Sequence, residues 1–462
     1  MNISPVQLKS ALNISFHRKE IPYFAQILPF PKTESLDTFE KGSPLFDFLP
    51  SDAFQKTNIV EKQMIEDIKK LERGELSPNE IDPNAKDEYS NTILFHMISS
   101  GNIEAFKKVM SDENFVSRID LNTTDSYGEN LLFYAAGNSD EKFIKLIFSK
   151  PELLQQIDPN FQAKESKGTF LMIAASNDNA EVIKTILSSE DICSQINPNL
   201  QMTTGDTLLH FACNNENSDV IEAILDIPSI VEKVNPQIKN YHGQTLLHHC
   251  AGNKNEKVIE ALLNCEVIMD NIDLNAQNRE LQHTFMHSAV LNKNPKVMQL
   301  ILSRTDLLPK IDVEKGYNSI NSGTFFDLAA DCEDETILYS IMENEELMKR
   351  IEKLAVEKGT LRYLHFAVHN INYKIIERLM QNPVLVGAVN PNLCHRNGGT
   401  LLDNAVANSD IRVLQTVLNE PVLVAKINPH LRSIYGFNAF DMARMDESST
   451  KLDMLKEHWE ET

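Results

Sequence analysis

Positive charge is what this chain is short of. Its 462 residues carry 44 Lys and Arg against 66 Asp and Glu, a formal net charge of −22. A phosphate backbone is held by a positive surface, so a nucleic-acid partner is not expected. Long apolar runs are missing as well. The 42% hydrophobic residues are spread through short segments, none long enough to cross a bilayer, so membrane insertion is not expected. The six cysteines, Cys193, Cys213, Cys250, Cys265, Cys332 and Cys394, include no C-x-x-C pair. That pattern fits reduced, structural thiols and a cytoplasmic setting. Met1 to Ser10 lacks the charged and apolar blocks of a secretory signal peptide, so Sec-type export is not expected.

The sequence is equally poor in catalytic motifs. It has no G-x-x-x-x-G-K-[ST] run to cradle phosphates, no G-x-G-x-x-G and no H-E-x-x-H, and each of those encodes a specific chemistry. No cysteine is set apart beside a histidine as a nucleophile would be. We therefore expect no catalytic residue, no cofactor and no metal, with an enzyme of unrecognised site as an alternative. His248-His249-Cys250 is a cluster in sequence only, because adjacent helical residues point about 100° apart.

What the chain has is a repeat. The segment Thr207-Leu208-Leu209-His210-Phe211-Ala212 returns at a nearly fixed step, its first residue aligning with Thr92, Asn130, Thr169, Thr245, Thr284, Thr324, Arg362, Thr400 and Asn438 at intervals of 38 to 40 residues. Self-similarity at such a period marks stacked units that bury a continuous core between neighbours.

Each unit divides into three. Thr207 to Cys213 predicts a short apolar helix, and Asn214 to Ser218 breaks it. A second helix is predicted from Asp219, with Val220, Ile221, Ala223, Ile224 and Leu225 at helical spacing and Asp219 placed at its start. Pro228 opens a third short element, and Pro151, Pro383 and Pro421 hold the same register. An Asn/Asp-Pro step follows, as in Ile196-Asn197-Pro198-Asn199 and Val234-Asn235-Pro236-Gln237, which predicts an extended turn. Gly128, Gly205, Gly243 and Gly436 stand two residues before the next helix, where a positive φ is expected. The chain holds 43 asparagines, and Asn138, Asn177, Asn215, Asn253, Asn292, Asn370 and Asn408 recur between the first two helices. The fixed register predicts a left-handed turn residue there.

A G-x-T-[PL]-L-H-x-A motif followed by a second apolar helix resembles the ankyrin repeat. His210, His248, His287 and His365 match the family's histidine, and Ala212, Ala289, Ala367 and Ala405 its packing alanine. The resemblance implies an all-α fold, an ankyrin-type helical solenoid of about ten to eleven repeats with extended turns. The interval of 38 exceeds the family's usual length of about 33, which predicts an extra short helix per repeat. Successive histidines of one register would stand about 10 Å apart, too far to share a metal, so they are expected to tie helix to turn. The resemblance also implies a non-catalytic protein-protein interaction scaffold, with a protein partner held at the turn tips and concave face. The corresponding residues here are Tyr127, Lys164, Tyr241, His242, Arg279, Arg396 and Tyr435, of which Tyr and Arg make good anchors.

Four segments are expected: a non-repeat N-terminal segment 1–41, a degenerate capping repeat 42–80, the array 81–445, and a C-terminal helix with an acid-rich tail 446–462. Gly42 to Phe48 resembles the repeat motif, Ile59 to Leu71 its second helix, and Leu452, Leu455 and Trp459 form one side of the last helix. The Asn- and Lys-rich array with acidic Glu457, Glu460 and Glu461 is similar to the effector proteins that intracellular bacteria inject into host cells. This similarity implies a monomer acting in the host cytosol on a host protein. Phe48 to Phe54, with Leu49-Pro50, faintly resembles an F-box, whose implication is a ubiquitin-ligase adaptor.

Overall fold

The computed structural model describes residues 51–460, apart from 293, 317–322, 360, 395–397, 434–435 and 447–448. The expected segments 1–41 and Gly42 to Phe48, and Leu49-Pro50 of the F-box resemblance, lie outside the described residues. The chain forms two compact units, 1–60 and 61–462. In the first, the described part is the start of a helix, Ser51–Arg73. This helix is longer than the Ile59 to Leu71 read from sequence, and Ile59 and Val60 are exposed on it.

In the second unit the ten aligned residues, from Thr92 to Asn438, are the N-caps of ten short helices. The unit around Thr207 shows the pattern. Leu208–Asn214 is the first helix, Ser218–Leu225 the second and Pro228–Val231 the third. The third helix is the expected extra turn, with proline at its start, where no intrahelical N–H is needed. The second helix begins at Ser218, one residue earlier than read: the Asn217 side chain accepts from the Asp219 N–H and is the true cap. Leu209, Phe211 and Ala212 of the first helix and Val220, Ile221 and Ile224 of the second are buried. First helices pack on first helices of the next unit, second on second, and third on third, so the core is continuous while each unit touches only its neighbours. Among the described residues there is no strand, and two isolated bridges precede the first two caps.

The recurrent asparagines correct the sequence reading. They are extended, Asn253 having φ −74° and ψ 137° and Asn215 φ −72° and ψ 130°, not left-handed. Their register is fixed by hydrogen bonding to the preceding unit. Asn253 Nδ2 donates to Cys213 O (3.0 Å) and Asn215 O (2.8 Å), and its Oδ1 accepts from Asn255 N at 2.9 Å. Asn177, Asn215, Asn292, Asn370 and Asn408 make the same pair of donations, and Asn138 donates to Ile98 O. The accepting carbonyls lie at or just beyond the C-terminus of a helix, where they have no helical partner. A second column runs along the Pro-Asn turns, where Asn199 Nδ2 donates to Lys233 O and Oδ1 accepts from Asn235 N, 2.7 Å each. Asn160, Asn275 and Asn392 repeat it.

The first column ends in a substitution of chemistry. Asp446 holds the asparagine register and cannot donate, and Lys451 supplies the missing donor. Its Nζ reaches Val406 O (2.7 Å), Asn408 O (2.9 Å) and the Asp446 carboxylate. Lys451 is 5% exposed. The final helix, Ser449–Lys456, thus closes the core with Leu455 and Lys451, while Trp459 lies beyond its end.

Candidate functional site

Between a third helix and the next N-cap the chain makes a turn, and at three of these turns one side chain shapes the tip. Asp125 Oδ1 accepts from Tyr127 N (2.9 Å) and Glu129 N (2.8 Å). Asp87 does the same for Tyr89 N and Asn91 N, and Asn240 for His242 N and Gln244 N. An acceptor two residues before the tip pre-forms the turn. Wherever the residue two before an N-cap is among the described residues it is left-handed, whether Gly205 (φ 83°) or Lys167 (φ 56°). Gly205 has a further constraint: a Cβ on it would lie 2.8 Å from Tyr241 N of the next tip.

Successive tips are hydrogen-bonded to one another through backbone. Ser126 N donates to Tyr89 O (3.0 Å), Glu165 N to Tyr127 O (3.4 Å), Thr203 N to Ser166 O (2.8 Å), Tyr241 N to Thr204 O (2.9 Å) and Arg279 N to His242 O (2.7 Å). Six tips therefore form one edge, on which backbone positions are fixed and side chains are free to differ. Tyr127 and Tyr241 are 47% and 63% exposed there, and Lys164 and Arg279 are exposed as well. His242 Nδ1 lies 2.9 Å from Glu280 Oε1. The sequence reading missed Tyr89, 56% exposed at the head of the same edge. The repeated Asp87-x-Tyr89 and Asp125-x-Tyr127 pattern carried that signal. Arg396 and Tyr435 lie outside the described residues.

Behind the tips stands a row of polar groups on the first helices. His96 Nε2 is 2.9 Å from Asp87 Oδ2, and Tyr134 OH donates to Asp125 Oδ2 at 2.9 Å. Burial and the neighbouring Asp125 carboxylate push Glu129 up to about 7 and raise the Tyr134 hydroxyl well above its ordinary value. Deeper still, His210, His248 and His287 do tie helix to turn as expected. Each Nδ1 accepts from the N–H of its own N-cap threonine at 3.1 to 3.2 Å, so the Nε2 carries the proton. His248 and His287 use that proton on the next turn, at His283 O (3.0 Å) and Gly323 O (3.2 Å). Burial first, then charge from nearby imidazoles, lowers His287 to about 3, and burial lowers His248 to about 4. His365 departs from this pattern: neither ring nitrogen meets a partner in bonding geometry, although the Leu393 backbone stands near the ring.

A cavity of about 510 Å³ opens at the head of the array between Leu71, Leu76, Pro78 and the second helix of the first repeat. Its charged groups Glu104 and Lys107 pair with each other at 2.7 Å, and Lys108 donates to Leu71 O at 2.9 Å and to Glu72 O. These contacts hold the helix end. All six cysteines are free, and Cys193, Cys213 and Cys250 are buried. No helix among the described residues is long and apolar enough to cross a membrane.

Residues 151–233 and 227–314 match the family model described as ankyrin repeats in three copies. No curated protein matches the chain. The matched segment contains the same three-helix unit that the structure repeats on either side of it, and residues 151–314 of this chain carry ankyrin repeats.

Proposed function

We propose that the protein is a non-catalytic scaffold that binds a partner protein along the edge of turn tips from Tyr89 to Arg279. Ankyrin repeats are protein-protein interaction modules. The observation that supports this edge is the backbone ladder of six tips, which fixes the spacing of Tyr89, Tyr127, Lys164, Tyr241, His242 and Arg279 before any partner arrives. A pre-organised row of aromatic and basic side chains loses little freedom on binding. Residues 42–80 serve as the N-terminal cap, which the burial of Met64, Ile68 and Leu71 supports.

The setting that goes with this reading is a monomer in the host cytosol, delivered as an effector of an intracellular bacterium and acting on a host protein. Its support is compositional, in the acid-rich end at Glu457, Glu460 and Glu461. Removal of residues 457–462, which spares the Lys451 anchor, is expected to block translocation and leave the fold intact. Unchanged delivery would remove the effector reading.

Affinity capture from host-cell lysate, with bound proteins identified by mass spectrometry, tests the scaffold itself. The expected result is a protein held by the wild type and lost from the Tyr241→Ala, Arg279→Ala double variant. Capture of the same protein at wild-type level by that variant would overturn the assignment of the edge.

A further inference from the structure

We infer that Asp206, His210 and His249 form a binding site for a divalent zinc-class cation, set between two neighbouring repeats. One ligand atom from each of the three lies within 4.8 Å of the other two. The assignment does not rest on the partner-binding edge.

The repeat itself supplies the control. Three successive units carry the same threonine-histidine cap. In two of them the histidine Nε2 is bonded to a backbone carbonyl of the next turn, 3.0 Å for His248 and 3.2 Å for His287. His210 is 1% exposed and its Nε2 has no hydrogen-bond partner, the Gln244 carbonyl standing near the ring but outside bonding geometry. That nitrogen belongs instead to a group with the His249 ring, the two ring centroids standing 5.3 Å apart, and the Asp206 carboxylate.

The coincidence is particular to this place. An acid one residue before the cap, a histidine three after it, and a histidine in the next unit four after its cap meet here as Asp206, His210 and His249. One unit along, the same positions are Gln244, His248 and Ser288. Histidines of one register are too far apart to share an ion, but these two belong to adjacent registers of adjacent units.

Thr204 Oγ1 donates to Asp206 Oδ2 (2.6 Å) and Asn240 Nδ2 to Asp206 Oδ1 (2.9 Å), which orients the carboxylate; the same Asn240 Nδ2 is 3.3 Å from His249 Nε2 and must turn away from that nitrogen when an ion binds. His249 Nε2 is 3.6 Å from Asp206 Oδ1, so a modest closure brings both within bonding range of one ion. For His210 to bind through Nε2 its proton moves to Nδ1, which then gives up the bond it accepts from Thr207 N–H and donates instead to Thr207 Oγ1, 2.8 Å away, the outer hydrogen bond that metal-bound imidazoles make; the ion must offset that lost cap bond. The ring stays neutral throughout. Two imidazoles and one carboxylate suit Zn²⁺ and leave a fourth position open. The Asp206 and His249 side chains are each 15% exposed, so the site can be reached from solvent.

The test uses the full chain, purified without a histidine tag and stripped with chelator, titrated with Co²⁺ and followed by visible absorption, then with Zn²⁺ in competition. Asp206→Asn and His249→Phe change half-buried groups and leave the His210 cap in place. Far-UV circular dichroism checks both, and His458→Ala, an exposed histidine beyond the last helix, is the control. We expect a single tetrahedral-type cobalt band in the wild type and in His458→Ala. Binding should be at least about tenfold weaker in Asp206→Asn and His249→Phe. No band in the wild type, a band that survives in either cluster variant at full affinity, or a band equally lost in His458→Ala would overturn the site.

Discussion

The asparagine column makes a quantitative claim that can be tested from both directions. Replacing Asn253 by alanine removes three hydrogen bonds: the donations to Cys213 O and Asn215 O, and the acceptance from Asn255 N. Asn253 is 6% exposed, so water cannot readily take over. At about 1 kcal/mol net for each bond, with a further penalty for buried carbonyls left without a donor, the loss is about 3 to 5 kcal/mol. Asn253→Asp should be worse, because a carboxylate has no donor and places a charge against two carbonyl oxygens. The converse is Cys332, which occupies the asparagine register with φ −72° and ψ 138°, nearly the angles of Asn253. Its thiol reaches Val290 O only at 3.7 Å. Cys332→Asn should therefore restore the donations to Val290 O and Asn292 O and stabilise the array by about 1 to 2 kcal/mol. Native-state hydrogen exchange read by mass spectrometry is the suitable assay, because a repeat array opens locally and a single global midpoint would blur the effect. Protection should fall in the two units flanking Asn253 and rise in those flanking Cys332. The reasoning is refuted if Asn253→Ala stays within about 1 kcal/mol of wild type, or if Asn253→Asp is no worse than alanine.

Three further outcomes are expected. Lys451→Met leaves Val406 O, Asn408 O and Asp446 without their donor, so exchange in residues 449–456 should accelerate to near unprotected rates while the central repeats are unchanged. Burial holds His287 at about 3 and His365 at about 4, below the ordinary imidazole value of about 6.5. The unfolded chain then binds protons the folded chain refuses, so the urea midpoint should fall as pH drops from about 6.5 towards 4; His287→Gln should flatten that part of the profile. Glu129 is shifted the other way, to about 7, so its contribution is present below the ordinary carboxylate range and lost as pH rises through 7. Glu129→Gln should stabilise the array by about 1 kcal/mol at pH 8, after discounting for partial exposure, and have little effect at pH 4.

The fold was legible because every unit obeys the same local rules. Ten residues picked by alignment alone are ten helix N-caps, and Pro151, Pro228, Pro383 and Pro421 each open a third helix. The asparagine register was legible too, but not its cause. A single sequence shows that residue 253 is asparagine; it does not show that the carbonyls needing a donor sit one unit upstream, so the reading fell back on the local habit of asparagine in turns. The same limit hid the cluster of Asp206, His210 and His249. Comparing histidines of one register gave a spacing of a whole repeat, whereas the close pair joins different registers of neighbouring units. Tyr89, by contrast, was written plainly in a repeated Asp-x-Tyr and needed only a longer list of tips. The helix Glu345–Lys358 was legible as well: Leu347, Met348, Ile351, Leu354 and Ala355 follow helical spacing, but the preserved repeat interval drew attention away from it.

That helix stands where several departures from the repeat meet, and one exchange of chemistry accounts for two of them. A histidine three residues after the cap accepts from its own N-cap and donates to a carbonyl of the next turn. Asp327 takes that position in the unit beginning at Thr324. One oxygen accepts from Thr324 N at 2.9 Å, as a histidine nitrogen would, but the other can only accept. The next turn must therefore present an N–H instead of a carbonyl, and Arg362 N serves, at 2.8 Å. An N–H given to Asp327 is no longer there for the ring three residues on. Arg362 also has no side-chain cap to offer, so His365 keeps the family residue without the family bond, buried with both nitrogens unpartnered. The asparagine register of the same unit holds Cys332, and its third helix is the fourteen-residue Glu345–Lys358. Arg350 and Lys358 of that helix reach back to Leu308 O at 2.6 Å and Glu314 at 2.7 Å. The unit thus trades the repeated side-chain ladder for contacts made once. The weak rung at Cys332 and the unpartnered His365 ring of the following unit fall at one boundary between repeats, so native-state exchange within the array is expected to be fastest between Thr324 and His365; uniform protection across the repeats would refute this.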